Sequence, residues 1–314
     1  STPKPSSAAS DVYKRQVLDM EKLTIFTPTY NRKKKLLLGY EALCRQTNKD
    51  FIWLIIDDGS TDDTEALVHA WKKKDNGFKI EYVYKENGGL HTGYNKAIEL
   101  METELCICID SDDYMPDDGV EFIIKTWTAY GREQKGVAGI VGLDFKLDGT
   151  PLGGEFPKTG NAHLYEIRKM HKGDIKIVCK TALLKALPMM PTFGNEKNFN
   201  PFYYYMQVDI NNKFLVVNKN LCFVEYQEDG MSNLLFYQFR NSPYSFAQYR
   251  RLSLSLPYYD TKTHFKNAIH YVSSCLFSSQ WDMLQTSPKP FLTFWAFIPG
   301  CLLNLYIRYK TSKK

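Results

Sequence analysis

FIWLIIDDGSTDD, residues 51–63, decides the fold. An uninterrupted apolar run from Phe51 marks a strand buried on both faces, not one with a wet side. Asp57 and Asp58 end it side by side. Gly59 then permits a tight bend, and Ser60, Thr61 or Asp62 caps a helix that runs to about Lys74. The same strand–loop–helix unit repeats outward from this stretch. Upstream, Leu23–Thr27 reads as a short strand ended by Pro28. Lys33–Gln46 reads as a helix with Leu36, Leu37, Tyr40, Leu43 and Cys44 on one side. Downstream, Ile80–Tyr84, Leu105–Asp110 and Val137–Leu143 are further strands. Helices lie at Thr92–Met101 and from Asp117 to about Tyr130. This alternation predicts an α/β protein with a doubly wound, mostly parallel sheet flanked by helices. In such sheets ligands bind beyond the carboxyl ends of the strands.

The polar segments fall at those ends. Strand one leads into Thr27-Pro28-Thr29-Tyr30-Asn31-Arg32, and strand two into Asp57-Asp58-Gly59-Ser60-Thr61-Asp62. Strand three leads into Glu86-Asn87-Gly88-Gly89-Leu90-His91, and strand four into Asp110-Ser111-Asp112-Asp113. A carboxylate such as Asp57 or Asp58 can accept a nucleobase N–H. Tyr30 offers a ring face to a base, and Arg32 a charge to a phosphate. Asn87-Gly88-Gly89 lets backbone approach a ligand closely, but it has neither dinucleotide-binding nor P-loop spacing. The acidic cluster at 110–113 suits a hard cation, Mg²⁺ or Mn²⁺, which takes one or two carboxylates and completes its shell from substrate phosphates. The plainer alternatives are capped turns and solvated polar loops, and His91 reads as structural.

Bulk composition excludes several classes. The chain has 314 residues, 44% apolar and 24% charged, as a globular protein with a sizeable core should. Of the net +5, residues 1–16 contribute +2 through Lys4, Lys14, Arg15 and Asp11, and the remaining +3 gives no case for nucleic acid. Seven cysteines without paired spacing argue against a disulfide framework and a zinc site; Cys106 and Cys108 read as core thiols in a reducing, cytosolic setting. Residues 1–16 lack apolar periodicity and a signal-type apolar run, and read as a non-native or disordered leader. After residue 150 the pattern becomes irregular. Strands are expected at Ile175–Cys179, Phe214–Val217 and Cys222–Tyr226, with a loop over Pro188–Asn200. Beyond Ser232 the chain is helical and aromatic.

TPTYNR, DDGSTD, ENGG followed by Asn95, and DSDD, in this order and spacing, resemble the family 2 glycosyltransferases of the GT-A fold. The resemblance covers about residues 21–230. GGLHTGYNKAIE, GNEKNF and EYQEDGMS are similar to segments of bacterial enzymes that build capsule, exopolysaccharide or lipopolysaccharide. It implies a GT-A, Rossmann-like domain over 21–230, with a nucleotide-binding half (21–145) and an acceptor half (146–230), followed by a helical C-terminal region (231–314). It also implies a nucleotide-diphosphate sugar donor, with a UDP-sugar expected, an Mn²⁺ or Mg²⁺ ion, and inverting transfer to a saccharide or lipid-linked acceptor. Carried over by motif, Thr27, Tyr30 and Asp58 would contact the nucleoside. Pro28, Arg32, Asp57, Asn87, Gly88, Gly89, Asn95, Asp110, Ser111 and Asp112 would complete the donor site. Asp112 and Asp113 are the metal-ligand candidates. The catalytic base would be Glu196, in Gly194-Asn195-Glu196-Lys197, with Asp229 as fallback.

Phe291–Ile307 is a run of seventeen residues without a charge, broken by Pro299-Gly300 and followed by Arg308, Lys310, Lys313 and Lys314. Short for a span, it reads either as a peripheral membrane contact or as a buried hairpin. The former would place the protein in the cytoplasm, at the inner face of the cytoplasmic membrane. Two other readings compete with transfer. A sugar nucleotidyltransferase would show a Gly-rich basic loop after strand one. A non-catalytic membrane-associated scaffold would have no need of the carboxylates.

Overall fold

Along the strand that begins at Phe51, Phe51, Trp53 and Ile55 pack into one apolar layer, while Leu54 and Ile56 pack into another. The side-chain period of two thus places a sheet between two cores. The computed structural model describes residues 22–224 and 235–312. Its first half consists of β1 (Leu23–Thr29), α1 (Lys33–Arg45), β2 (Phe51–Asp57), α2 (Thr64–Lys72), β3 (Lys79–Tyr84), α3 (Leu90–Leu100), β4 (Leu105–Cys108) and α4 (Gly119–Thr126). Then come β5 (Val137–Phe145), β6 (Gly160–Ala162), α5 (Leu164–Met170), β7 (Ile175–Lys180), α6 (Thr181–Lys185), α7 (Phe202–Asp209) and β8 (Lys213–Phe223). The described C-terminal helices are α8 (Leu235–Asn241), α9 (Pro243–Ser255), α10 (Thr261–Phe277), α11 (Met283–Thr286), α12 (Pro290–Trp295) and α13 (Phe297–Thr311).

The eight strands form one sheet in the order β3-β2-β1-β4-β7-β5-β8-β6. The first four are parallel, as the alternation predicts. β7 then inserts antiparallel between β4 and β5. β5 and β8 are parallel, and β6 closes the edge antiparallel to β8.

Several expected boundaries need correction. β1 continues through Pro28 to Thr29. Even-numbered residues of β1 face β4, whose pairing ends at Phe26–Cys108, so the missing Pro28 N–H interrupts no ladder bond. The helix expected from Asp117 is α4 followed by a single π turn, Trp127–Gly131. The strands expected at 214–217 and 222–226 are one strand, β8; Asn218, Lys219 and Asn220 interrupt its apolar pattern but not its backbone, which stays paired to β5 through register shifts. On α1 the buried side is Leu36, Tyr40 and Leu43, whereas Leu37 and Cys44 are exposed. Cys106 and Cys108 are buried free thiols, as expected. The leader, Asp229 and the rest of the Glu228–Ser232 segment, Lys313 and Lys314 lie outside the described residues.

Candidate nucleotide-sugar cleft

The carboxyl ends of β1, β2 and β4 and the loop after β3 open onto one cleft of about 1280 Å³. Pro28, Thr29, Tyr30 and Arg32 line it from the first loop, and Asp58 from the second. Asn87 and Gly89 contribute from the third, and Asp110, Ser111, Asp112 and Asp113 from the fourth. Four loops read separately in the sequence therefore share one rim.

Hydrogen bonds lock these loops together. Asn31, in the left-handed region at φ 52°, donates its N–H to Ser60 Oγ (2.8 Å), and its Oδ1 accepts the Thr61 N–H (2.7 Å). Asp58 is the hub of the next junction: Oδ1 accepts the Gly88 N–H (2.9 Å), Oδ2 accepts the Gly89 N–H (2.8 Å), and Lys85 pairs with it. Thr92 Oγ1 also lies 3.5 Å from Oδ1, but its single hydroxyl hydrogen has a closer acceptor in the Gly89 carbonyl (2.7 Å), so Oδ2, with one donor against two lone-pair directions, keeps one for a further donor. Gly89 sits at φ 93°, and a Cβ there would lie 2.1 Å from the Lys197 carbonyl oxygen, so only glycine fits. Through this contact the 193–200 segment closes over the third loop, and Lys197 Nζ donates to Asn87 Oδ1.

Four expected site residues point elsewhere. Thr27 is buried, with its Oγ1 accepting the Trp53 indole N–H at 3.0 Å. Asp57 holds its own turn: it accepts from Ser60 N–H (2.7 Å) and the Tyr82 hydroxyl (2.6 Å). Asn95 fixes the 188–200 segment, donating to the Met190 carbonyl (2.8 Å) and accepting the Tyr204 hydroxyl (2.6 Å). Glu196, the expected base, lies off the cleft wall; its carboxylate accepts the N–H groups of Tyr244 (2.9 Å) and Ser245 (2.8 Å) and the Ser245 hydroxyl (2.7 Å). These are orphan donors in the first turn of α9, so Glu196 is an external helix cap with both oxygens committed. Gly88 also contributes only its bond to Asp58. His91 is fully buried, and burial lowers its pKa, as suits a structural residue.

The acidic loop is the electrostatic centre. Asp112 faces two cations, Arg32 Nη1 at 3.4 Å and Lys35 Nζ at 3.6 Å. Asp113 is buried with its Oδ2 3.3 Å from Lys176 Nζ, and Asp144, at the end of β5, approaches the same ammonium at 3.8 Å. That is an ionic contact beyond hydrogen-bond reach, so buried Asp144 Oδ1 has no hydrogen-bond donor. Burial pushes the Asp113 carboxyl up to about 7, opposed by Lys176 and assisted by Asp110 and Asp144. Burial likewise pushes Asp144 up to about 6, again against Lys176. Several carboxylates crowd a single buried lysine, and the negative charge in excess would be offset by a divalent cation. The hard oxygen donors and the orphaned Asp144 oxygen fit Mg²⁺ or Mn²⁺. Among the described residues no group of three acidic, His or Cys side chains could hold such an ion alone, so ligand oxygens would have to complete its shell.

Sequence reasoning missed Lys176 and Asp144. The signal was a lone charge inside an apolar strand: Ile175-Lys176-Ile177-Val178, and Leu143-Asp144 after Val137–Val141. It also missed part of the cleft wall, where Arg168, Phe202, Tyr205, Tyr249 and Tyr259 supply aromatic and cationic surface.

Residues 24–177 match the family model described as glycosyl transferase family 2. An uncharacterized glycosyltransferase of Rickettsia felis is 36% identical over 111 residues, which are 35% of this chain and 18% of that protein. The chain thus spans less than a fifth of the length of that relative, and the same holds for an uncharacterized glycosyltransferase of Rickettsia conorii (18%) and GlyA of Streptococcus pneumoniae (16%). Among solved structures, TarS 1–349 of S. aureus superposes with a TM-score of 0.59 at 16% identity, over 93% of this chain and 92% of that one; it is also solved with UDP-GlcNAc. A mannosyltransferase from Pyrobaculum calidifontis, in complex with GDP-Man and Mn²⁺, gives 0.54 at 14% identity, over 95% and 94%. At such identities the likeness is one of fold, and the fold is GT-A.

Proposed function

Residues 24–177 place this chain among the family 2 glycosyltransferases, and from that premise we propose that it transfers a sugar, with inversion, from a UDP-sugar to a saccharide or lipid-linked acceptor. The observation that carries the proposal is the convergence of four strand-end loops on one cleft, which brings Tyr30, Arg32 and Asp58 together with Asp110–Asp113 on its wall. Tyr30 is exposed on the cleft that Asp58 also lines, so a base could stack on the ring while the free direction of Asp58 accepts its N–H. Pro28, Asn87 and Gly89 would shape that end. Arg32 and Lys35 would meet the diphosphate, and Asp110 and Ser111 the remainder of the donor. Asp112 and Asp113 would hold Mn²⁺ or Mg²⁺ together with diphosphate oxygens. When bound, the ion would neutralise charge on the departing diphosphate.

With Glu196 committed to a helix cap, two carboxylates stand out for the acceptor proton: Asp174 on the cleft wall and Asp229 in the Glu228–Ser232 segment. Removing the base should cost roughly 10²–10⁴ in kcat, so the two Asn variants identify it. Surface polysaccharide assembly at the inner face of the cytoplasmic membrane, with residues 291–314 in peripheral contact with it, completes the reading.

A screen of nucleotide sugars, each with and without Mn²⁺, tests the proposal by thermal shift. A donor present at about a hundred times its Kd adds about 2.7 kcal/mol of stability. Asp112→Asn should keep the unliganded melting temperature, because half-exposed ion pairs contribute about 1 kcal/mol or less. It should lose the Mn²⁺-dependent part of the shift and lower transfer at least about a hundredfold. Wild-type transfer by purified Asp112→Asn would remove the acidic loop from the mechanism.

A further inference from the structure

Helix α13 is built inside out. It turns Gly300, Asn304, Ile307 and Thr311 inward, and leaves Ile298, Leu302, Leu305 and Tyr309 outside. The outer set recurs at spacings of four, three and four, one continuous stripe along the helix. A helix at home in water would be the other way round. Its orientation is nonetheless fixed. A Cβ on Gly300 would lie 2.5 Å from Val272 of α10, so close backbone approach holds the glycine side inward. Asn304 donates to the Ser273 carbonyl at 3.0 Å, and Thr311 Oγ1 accepts from Arg240 at 3.0 Å, so the inward polar groups are satisfied. Rotating the helix to hide its stripe would break all three contacts. α12 continues the surface: Phe291 is 76% exposed and Trp295 60%, beside Ile298 at 72% and Leu302 at 63%. An apolar surface of this kind marks a docking site.

We infer that the face of α12 and α13 docks flat into the headgroup region of an anionic lipid leaflet. Charge selects this occupant. From Met283 onward the sequence has five basic residues, Lys289, Arg308, Lys310, Lys313 and Lys314, and no acidic one. Acidic headgroups would meet that charge, whereas a second copy of the chain would bring the same charge against it. Exposed Phe, Trp and Tyr suit the boundary between headgroups and acyl chains. The face lies on the surface and does not cross: α13 has 15 residues, about 22 Å of helix against a hydrocarbon core of about 30 Å. Among the described residues no helix is long and apolar enough to span a membrane. Docking in this form deepens the peripheral membrane contact proposed above and rests on that part of it, but it is carried by the helices alone, so docking and sugar transfer can fail separately.

Flotation of the full chain with vesicles tests it, using phosphatidylcholine alone or mixed equally with phosphatidylglycerol. The protein should float with the anionic vesicles, and less so as salt rises. Trp295→Ser with Ile298→Ser and Leu302→Ser alters only outward side chains and should lower partitioning about tenfold or more. Lys289→Gln with Lys310→Gln should lower it on anionic vesicles alone, which keeps the test open if the triple variant misfolds. Donor-induced thermal shift should be unchanged in both. Failure of the wild type to float, equal flotation of the variants, or a solution dimer that the triple variant dissolves would each overturn the docking face while leaving the donor cleft untouched.

Discussion

At the residue scale, Glu196 separates two chemistries. As a cap on α9 it accepts three hydrogen bonds from Tyr244 and Ser245, and a neutral Gln keeps one acceptor oxygen. Glu196→Gln should therefore leave kcat within about threefold of wild type, where loss of a general base would cost roughly 10²–10⁴. Glu196→Ala should lower stability by about 1 kcal/mol, read as a fall in melting temperature. A kcat collapse in Glu196→Gln at unchanged melting temperature would restore the base assignment. The contrast shows where sequence reading stops. The residue types of the candidate site were legible, because four successive strand ends carry carboxylate, Gly or Asn. The direction of each side chain was not. Thr27, Asp57, Asn95 and Glu196 sit in the right segments, yet each is claimed by a group distant in sequence, whether Trp53, Tyr82, Met190 or the first turn of α9.

At the element scale, the fold was most legible where strand and helix alternate, from β1 to β4, because runs buried on both faces and capped turns are local signals. It was least legible in β8, where polar residues at 218–220 interrupt the apolar pattern of a strand that continues regardless. The loops matter more than the elements they join. Gly89 is where the third loop, the start of α3 and the 193–200 segment meet. Gly89→Ala adds a Cβ both at φ 93° and 2.1 Å from the Lys197 carbonyl oxygen, so the 193–200 segment must move away. The expected cost is about 1–3 kcal/mol from backbone strain alone. Because Gly89 N–H also bonds Asp58, donor KM should rise more than kcat falls. Steady-state kinetics at fixed acceptor read this split directly. A loss confined to kcat would mean that the loop positions the acceptor instead of the donor.

At the scale of the whole molecule, the decisive fact is that strand order in space differs from strand order in sequence. β7 enters between β4 and β5, so Lys176 arrives between Asp113 from the β4 loop and Asp144 from β5. No local pattern announces that three segments spread over 60 residues will share one buried charge cluster. The cluster makes stability depend on pH with a definite sign. Burial raises the Asp144 carboxyl from 3.8 to about 6, so within that window the folded chain retains a proton that the unfolded chain releases. The contribution of Asp144 is therefore greatest below about pH 4, falls as pH rises to about 6, and is level above. Asp113, raised to about 7, extends the decline upward. Asp144→Asn removes one titrating group and leaves Lys176 its contact with Asp113. Denaturant unfolding at intervals from pH 4.5 to 7 should give the variant a shallower decline than wild type, and above pH 6 the variant should be the more stable. Parallel curves would show that Asp144 ionises freely, and that Lys176 already balances the cluster without a cation.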